Sequence, residues 1–436
     1  MSGVRTRRAA LAIATAAAVG LLATGCSPAA SNGSGGSSSS KVTINWYVQP
    51  LNSTSIWPDL VAAFNKSHPN IEVTLTVGPT NVDTVRGTLS TQLGSGSATP
   101  DVYEGDITWP AQFAKAGLAV NLTKLFPKSF WDRFSPGAIT LAQYKGSSYS
   151  VPSWTEAAFL YYRKDLLTKA GLPVPSTWEE LVADAKKVQA TGAVKDGYTW
   201  QGAGYEGLTC DFSELVADAG GGIVSSDYTK GTLDSAAGQK ALAFLKETIA
   251  SGVSPKATPT FQEPQSLNDF TAGNALFMRN WSYAWAITQD PKQSKVVGKV
   301  GMAPLPSFAG QPTPGASTNG GGGMFINPHS KYLKQDVTFL TWLTGTEAQG
   351  MFASVGKVLP ANVQAQTPQA QKDVGPVGQV LAKLKIVGRP VGTPAYSQVS
   401  RALFQNVNAA LSGNASVSGA LSSADSQITT ALSSSR

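Results

Sequence analysis

Residues 41–48 read KVTINWYV, with apolar and polar side chains alternating in the two-residue period of a half-buried strand. Trp57 to Asn65 (WPDLVAAFN) changes to helical spacing, and Ile71 to Val77 (IEVTLTV) alternates again. Val82 to Leu93 predicts a second helix, with Val82, Val85, Leu89 and Leu93 on one stripe, and a third strand begins at Pro100-Asp101-Val102-Tyr103. Strand, helix, strand, helix, strand implies an α/β domain with a largely parallel sheet.

Farther along, helices dominate. Leu160 to Ala170 and Thr177 to Gln189 have helical spacing, the second with Ser176 or Thr177 as cap and Glu179 and Glu180 in its first turn. Ala236 to Ala250, Gln265 to Ala272, Lys334 to Leu343, Glu347 to Ala353 and Tyr396 to Leu411 are further helices, followed by an Ala/Ser-rich one at the end. Leu276 to Met278 and Val300 to Met302 are short strands, and no solenoid-length repeat is present.

The first forty residues stand apart. Met1 to Ala9 carries Arg5, Arg7 and Arg8 without an acid, an apolar run extends from Ala10 to Ala23, and Thr24-Gly25-Cys26 follows. A basic start, a short apolar stretch and small residues before a cut describe an export signal over 1–25, too short to span a bilayer permanently. The site resembles a bacterial lipobox, which makes Cys26 the expected lipidation site, although Ala23 stands where Leu or Val is more usual. Simple cleavage and release is the alternative. Thr6-Arg7-Arg8 leaves the choice between general and twin-arginine export open. Ser27 to Ser40 is almost entirely Ser, Gly, Ala and Asn, which cannot offset the entropy of ordering, so 26–40 reads as lipidated cysteine plus tether. This predicts a protein anchored to the outer face of the cell membrane.

About 395 residues remain, enough for two domains with real cores. The only other cysteine is Cys210, so the mature chain has no intrachain disulfide, and with His68 and His329 as the only histidines no Cys- or His-rich metal site is expected. No cofactor is implied. The formal charge of +7 falls to about +4 without the leader arginines, and the remaining charges are scattered, which argues against a nucleic-acid footprint. Charged residues make up 14 % of a chain with 44 glycines, 10 tryptophans and 12 tyrosines, a balance that suits uncharged polyhydroxylated ligands.

From Pro100, the runs PDVYEGDITWPAQFAKAGLAVNLT, YSVPSWTEAAFLYYRKDLL and PSTWEEL appear in order. TWQGAGYEGLTCDFSELVADAGG, FTAGNALFMRNWSYAW and TNGGGGMFINPHS follow. This series resembles the bacterial extracellular solute-binding proteins (family 1), the sugar-importer binding lipoproteins of trehalose/maltose type, over Lys41 to about Gly413. The resemblance implies the type II periplasmic-binding-protein fold, two α/β lobes joined by three hinge crossings with a ligand cleft between them. The crossings would lie near Thr155 to Phe159, Gly320 to Phe325 and Leu359 to Ala361. The N-terminal lobe would hold 41–155 plus 323–359 and the C-terminal lobe 156–322 plus 360–436. The implied activity is capture of a di- or oligosaccharide and its delivery, by a monomer, to the permease of an ABC importer with a cytoplasmic ATPase.

A sugar presents paired hydroxyls and an apolar C–H face, so it is held by carboxylates, amides and aromatic rings. Charge-assisted hydrogen bonds are worth ~1.5–3 kcal/mol each, so three or four plus stacking approach the ~8 kcal/mol of a micromolar complex after ordering costs. Asp106 ends a strand in YEGDITW, where binding residues gather in open α/β sheets, and the resemblance makes it a hydroxyl acceptor. An N-cap for the helix from Pro110 is its alternative role. Tyr103 and Trp109 beside it belong either to the site or to the core. Glu156 sits in the apolar VPSWTEAAF strand, where burying a carboxylate is costly without a ligand or a salt bridge, and Trp154 shares its face.

By resemblance, Trp281 is the stacking ring, Glu263 and Arg389 touch the ligand, and Arg86 matches a first-lobe arginine. Plain core packing, a solvated loop charge, a surface salt bridge and a solvated helix face are their respective alternatives. Asn52, after the first strand, is a weaker candidate, and Trp285 reads as core. Family members often have Gly-Gly-Trp where this chain has Gly320-Gly321-Gly322-Gly323. Gly322 in place of the ring is expected to open space in the cleft, and the amides of Gly321 and Gly322 can approach a ligand directly. A secreted glycosidase using Asp106 and Glu156 is the competing enzyme reading, but neither acid lies in a glycosidase signature. Capture of a polyamine by the cleft acids is a second alternative.

Overall fold

The structure, a computed structural model, describes residues 41–51 and 55–435. The expected signal, Cys26, the tether and Asn52 lie outside the described residues. Ten strands share one mixed sheet: β1 (Val42–Val48), β2 (Ile71–Val77), β3 (Val102–Asp106), β4 (Val151–Arg163), β5 (Asp196–Thr199), β6 (Ala275–Trp281), β7 (Val300–Ala303), β8 (Ala316–Ile326), β9 (Leu359–Pro360) and β10 (Lys385–Val387).

At one end of the sheet the expected parallel βαβαβ arrangement holds. β1 pairs with β2 from Val42↔Ile71 to Val48↔Val77 and with β3 at Trp46↔Val102. The connecting helices are Ile56–Ser67 and Val82–Gly94, the latter capped by Asn81, whose side chain accepts from the Thr84 amide. The sheet as a whole is not largely parallel. β4 and β8 run antiparallel to each other from Asn319↔Ala157 to Met324↔Val151, β8 also pairs antiparallel with β3, and β4 continues antiparallel onto β6. Each of these two long strands therefore serves both ends of the sheet. β9 adds a third link by pairing with β4 at Leu359↔Thr155 and Pro360↔Trp154.

Two large cores flank these shared strands. One packs β1 against the Ile56–Ser67 and Leu333–Leu343 helices, with Trp46 edge-on to Trp57 (5.2 Å) and Phe339 (5.0 Å). The other gathers Trp178, Trp200, Phe212, Leu403 and Ile428. Burying side chains of this size is worth roughly 1.5–3 kcal/mol each. The Trp178–Gln189 helix opens with the expected capping box, Thr177 and Glu180 bonding reciprocally.

Two local expectations are corrected. Leu160 to Arg163 belongs to β4, and the helix begins only at Lys164. Here both faces of the strand are buried, Ala158 and Leu160 in one core and Ala157, Phe159 and Tyr161 in another, so the run AAFLYY is an unbroken apolar stretch without alternation. A helix over Glu206–Asp218 was not anticipated. Every residue in it except Ala217 is buried, so it has no polar stripe to reveal the helical period.

Candidate functional site

A cleft of about 1030 Å³, continuous with open solvent, lies where β3, β4, β6 and β8 converge. Its floor is the glycine run of β8, antiparallel to β4 with Gly320↔Glu156 and Gly322↔Trp154. Gly321 is at φ +126°, and a Cβ there would lie 2.4 Å from the Trp154 carbonyl oxygen, so only glycine fits. Gly320 and Gly322 share the opposite face, and each is covered by an indole. A Cβ on Gly320 would lie 3.1 Å from Cζ3 of Trp281, and one on Gly322 would lie 2.5 Å from Nε1 of Trp154.

The Trp281 ring is fixed on two sides. Its Nε1 donates to Glu263 Oε1 at 3.2 Å, and the Arg279 guanidinium lies 4.3 Å from the ring centroid. Arg279, two residues earlier in β6, is 1 % exposed. Its Nε and Nη2 donate to Glu214 at 3.0 and 2.6 Å, and its Nη1 donates to Gln201 Oε1 at 3.0 Å and lies 3.3 Å from Asp211. This buried cluster supports the ring from beneath.

Five carboxylates line the cleft: Glu104, Asp106, Glu156, Glu206 and Glu263. Asp106 does not cap the helix from Pro110, whose N-cap is Trp109. It accepts instead from the Thr108 amide at 2.8 Å and lies 3.4 Å from Arg389 Nη2. Arg389 is no surface arginine. It is 4 % exposed, and its Nη1 donates to Glu206 Oε1 at 2.7 Å. Glu206 accepts further from Ser400 and Tyr396, and its amide donates to Asp83 at 3.0 Å. Arg389 thereby joins Asp106 on β3 to Glu206 on the opposite wall.

Glu156 accepts from Ser282 Oγ at 3.1 Å and from the Tyr283 amide at 3.3 Å. Burial pushes its carboxyl up to about 8 against those hydrogen bonds, with the charge of Glu263 adding to the rise. Burial likewise raises Glu104 to about 7, opposed by its bonds from Trp154 and the Gln49 amide. A carboxyl that titrates higher in the folded than in the unfolded chain holds its extra proton only when folded. The stability it contributes is thus complete below its unfolded value and is lost as pH rises through the folded one. Unliganded protein is therefore expected to melt lower at about pH 9 than at about pH 6, and Glu156→Gln to reduce that difference by the equivalent of ~1 kcal/mol or more. Thermal unfolding of both proteins at the two pH values measures this, and identical differences would remove Glu156 from the cause.

Of the residues singled out in the sequence, Asp106, Trp154, Glu156, Glu263, Trp281, Gly321, Gly322 and Arg389 come together in the cleft lining. Arg86 does not. It pairs with Asp83 at 3.3 Å and borders a small side pocket behind Asp106. Tyr103 and Trp109 are core, packed with Phe113 and Phe325, and Trp285 packs in a third cluster with Phe270. The expectation that Gly322 leaves open space is corrected, because the Trp154 indole and the Glu104 carboxylate occupy that position. Glu104 and Glu206 were missed. Glu104 precedes Asp106 by two residues and so shares its strand face, a signal that was available. Glu206 opens the unanticipated buried helix, and nothing local marks it.

The family model described as "Bacterial extracellular solute-binding protein" matches residues 50–350. A "Probable ABC transporter-binding protein" of Deinococcus radiodurans is 32 % identical over 349 residues, 77 % of this chain and 81 % of that one. The "Mannitol-binding protein" of Pseudomonas aeruginosa is 25 % identical, over 84 % of this chain and 87 % of that one. Among solved structures, maltose-bound MalE3 of T. maritima superposes with a TM-score of 0.82 at 31 % identity, covering 89 % of this chain and 99 % of its own.

Proposed function

The chain belongs to the bacterial extracellular solute-binding proteins of ABC transporters and has their two-lobe fold, and from that premise we propose that it captures a di- or oligosaccharide in the cleft and delivers it to an importer's permease. The observation that carries this reading is the pairing of two indoles over the side-chain-free glycine run of β8, with Glu104, Asp106, Glu156 and Glu263 around them. Flat aromatic faces suit the C–H side of a pyranose, and carboxylates accept from vicinal hydroxyls. The maltose bound by the T. maritima neighbour supports a glucose-containing ligand of maltose or trehalose type.

In this reading 41–155 plus 323–359 form one lobe and 156–322 plus 360–436 the other, linked by β4, β8 and β9. Arg389, Asp106 and Glu206 join the lobes across the cleft, and a ligand bridging both walls favours the closed form by the contacts it makes only there. The closed surface docks on the permease, which reopens it. Lipidation of Cys26 and the 26–40 tether keep the protein, a monomer, within reach of that partner. No helix among the described residues is long and apolar enough to cross a membrane.

Titration calorimetry against maltose, trehalose, maltotriose, mannitol and spermidine tests the reading, with product analysis of the same mixtures. The expected result is one-to-one binding of a glucan at roughly micromolar affinity without turnover. Hydrolysis of the disaccharide would favour a glycosidase, and binding of spermidine alone would favour a polyamine carrier drawn by the five acids.

A further inference from the structure

Glu104 on β3 and Trp154 on β4 are not neighbours in the sheet, because β8 runs between them. Gly322 pairs with Asp106 on one side and with Trp154 on the other. Even so, Trp154 Nε1 donates to Glu104 Oε1 at 2.8 Å across that intervening strand. The bond passes through the volume that a side chain at position 322 would fill, since a Cβ on Gly322 would lie 2.5 Å from the indole nitrogen and 2.7 Å from the carboxylate oxygen. The second Glu104 oxygen accepts from the Gln49 amide at 2.8 Å, which anchors the carboxylate beyond the end of β1. Glu104 is 2 % exposed although it borders the cleft, so both of its oxygens are engaged where little water competes.

We propose that Glu104 and Gly322 are positioning residues, which together hold the Trp154 indole down against β8 and so shape the part of the cleft wall that a saccharide meets. This rests on the saccharide reading above. The physical reason is geometric. The indole lies flat only while one neighbouring strand supplies an acceptor and the strand between them supplies no side chain. A methyl group at 322 pushes the ring off the strand and into the cleft. A glutamine at 104 offers one acceptor oxygen to two N–H donors, so either the indole or the Gln49 amide loses its partner. Both changes disturb the same part of the cleft wall, one by displacing the ring and the other by loosening it.

The test compares wild type, Glu104→Gln and Gly322→Ala by calorimetry with maltose and maltotriose, alongside the indole N–H signal of Trp154 in nitrogen-15 spectra, assigned through Trp154→Phe. The expected result is a displaced Trp154 signal in both variants and a fall of roughly tenfold in affinity for whichever of the two saccharides the wild type binds, as loss of one charge-assisted hydrogen bond gives. Should Gly322→Ala fail to fold, Glu104→Gln carries the test alone, since it adds no atoms to the crowded position. An unmoved indole signal, or an unchanged saccharide affinity in a folded variant, overturns the assignment while leaving the saccharide reading intact. Failure of the wild-type protein to bind any saccharide overturns both.

Discussion

Arg279→Leu is expected to destabilise the protein by ~3–5 kcal/mol, measured as a lower urea midpoint. Arg279 is surrounded by Glu214, Asp211 and Gln201 at hydrogen-bonding or ion-pair distance and is almost completely buried. Leucine fills much of the same space, but it leaves two carboxylates buried without a cation, and that uncompensated burial is the main cost rather than any lost attraction. The effect does not stay local. Glu214 also accepts from the amide and hydroxyl of Thr318 on β8, at 3.0 and 2.5 Å, so losing its cation disturbs the strand that carries the glycine floor. Saccharide affinity should fall as well, because the ring of Trp281 loses the charge behind it. A loss below about 1 kcal/mol would show that Asp211 and Glu214 are neutral in the folded protein, and the cluster would then have to be redrawn.

Trp281→Ala is expected to lower affinity for whichever saccharide binds by about 100-fold or more, or ~3 kcal/mol. The ring covers Gly320, and its N–H orients Glu263, so truncation removes the stacking face and frees a hydroxyl acceptor in one step. Trp281 is also 8 % exposed and belongs to the larger core, so the variant will melt lower. Trp281→Phe separates the two effects. It keeps an aromatic face and most of the packing while losing the donor to Glu263, and about tenfold weaker binding with a nearly normal melting temperature is expected. If Trp281→Ala remains folded and binds as tightly as wild type, the stacking role is wrong and the ring is merely core.

Features with a local cause were legible in the chain. Val42–Val48 and Ile71–Val77 alternate because one face of each is the more deeply buried, although Tyr47 packs on the other face of the first. Ile56–Ser67 and Val82–Gly94 show a helical stripe because each packs one side on the sheet, and Thr177 with Glu180 announces a helix start wherever it occurs. The ordered motifs from Pro100 onward identified the family, and so anticipated that strands near Thr155, Gly320 and Leu359 would link two halves. Eight of the proposed site residues lie in one cleft as a result.

What the sequence by itself determined is therefore the local period, the caps and the family. Only the tertiary structure decided which atoms meet. Periodicity reports a contrast between buried and exposed faces, and it vanishes where every face is covered, as at Leu160 to Arg163 and throughout Glu206–Asp218. It is equally silent on contacts between distant segments. Arg389 engages Glu206 across 183 residues, and Glu104 reaches Trp154 through the gap over Gly322 across 50. Whether a glycine means vacant space or another residue's ring depends on the strands beside it, and their register is a property of the folded sheet.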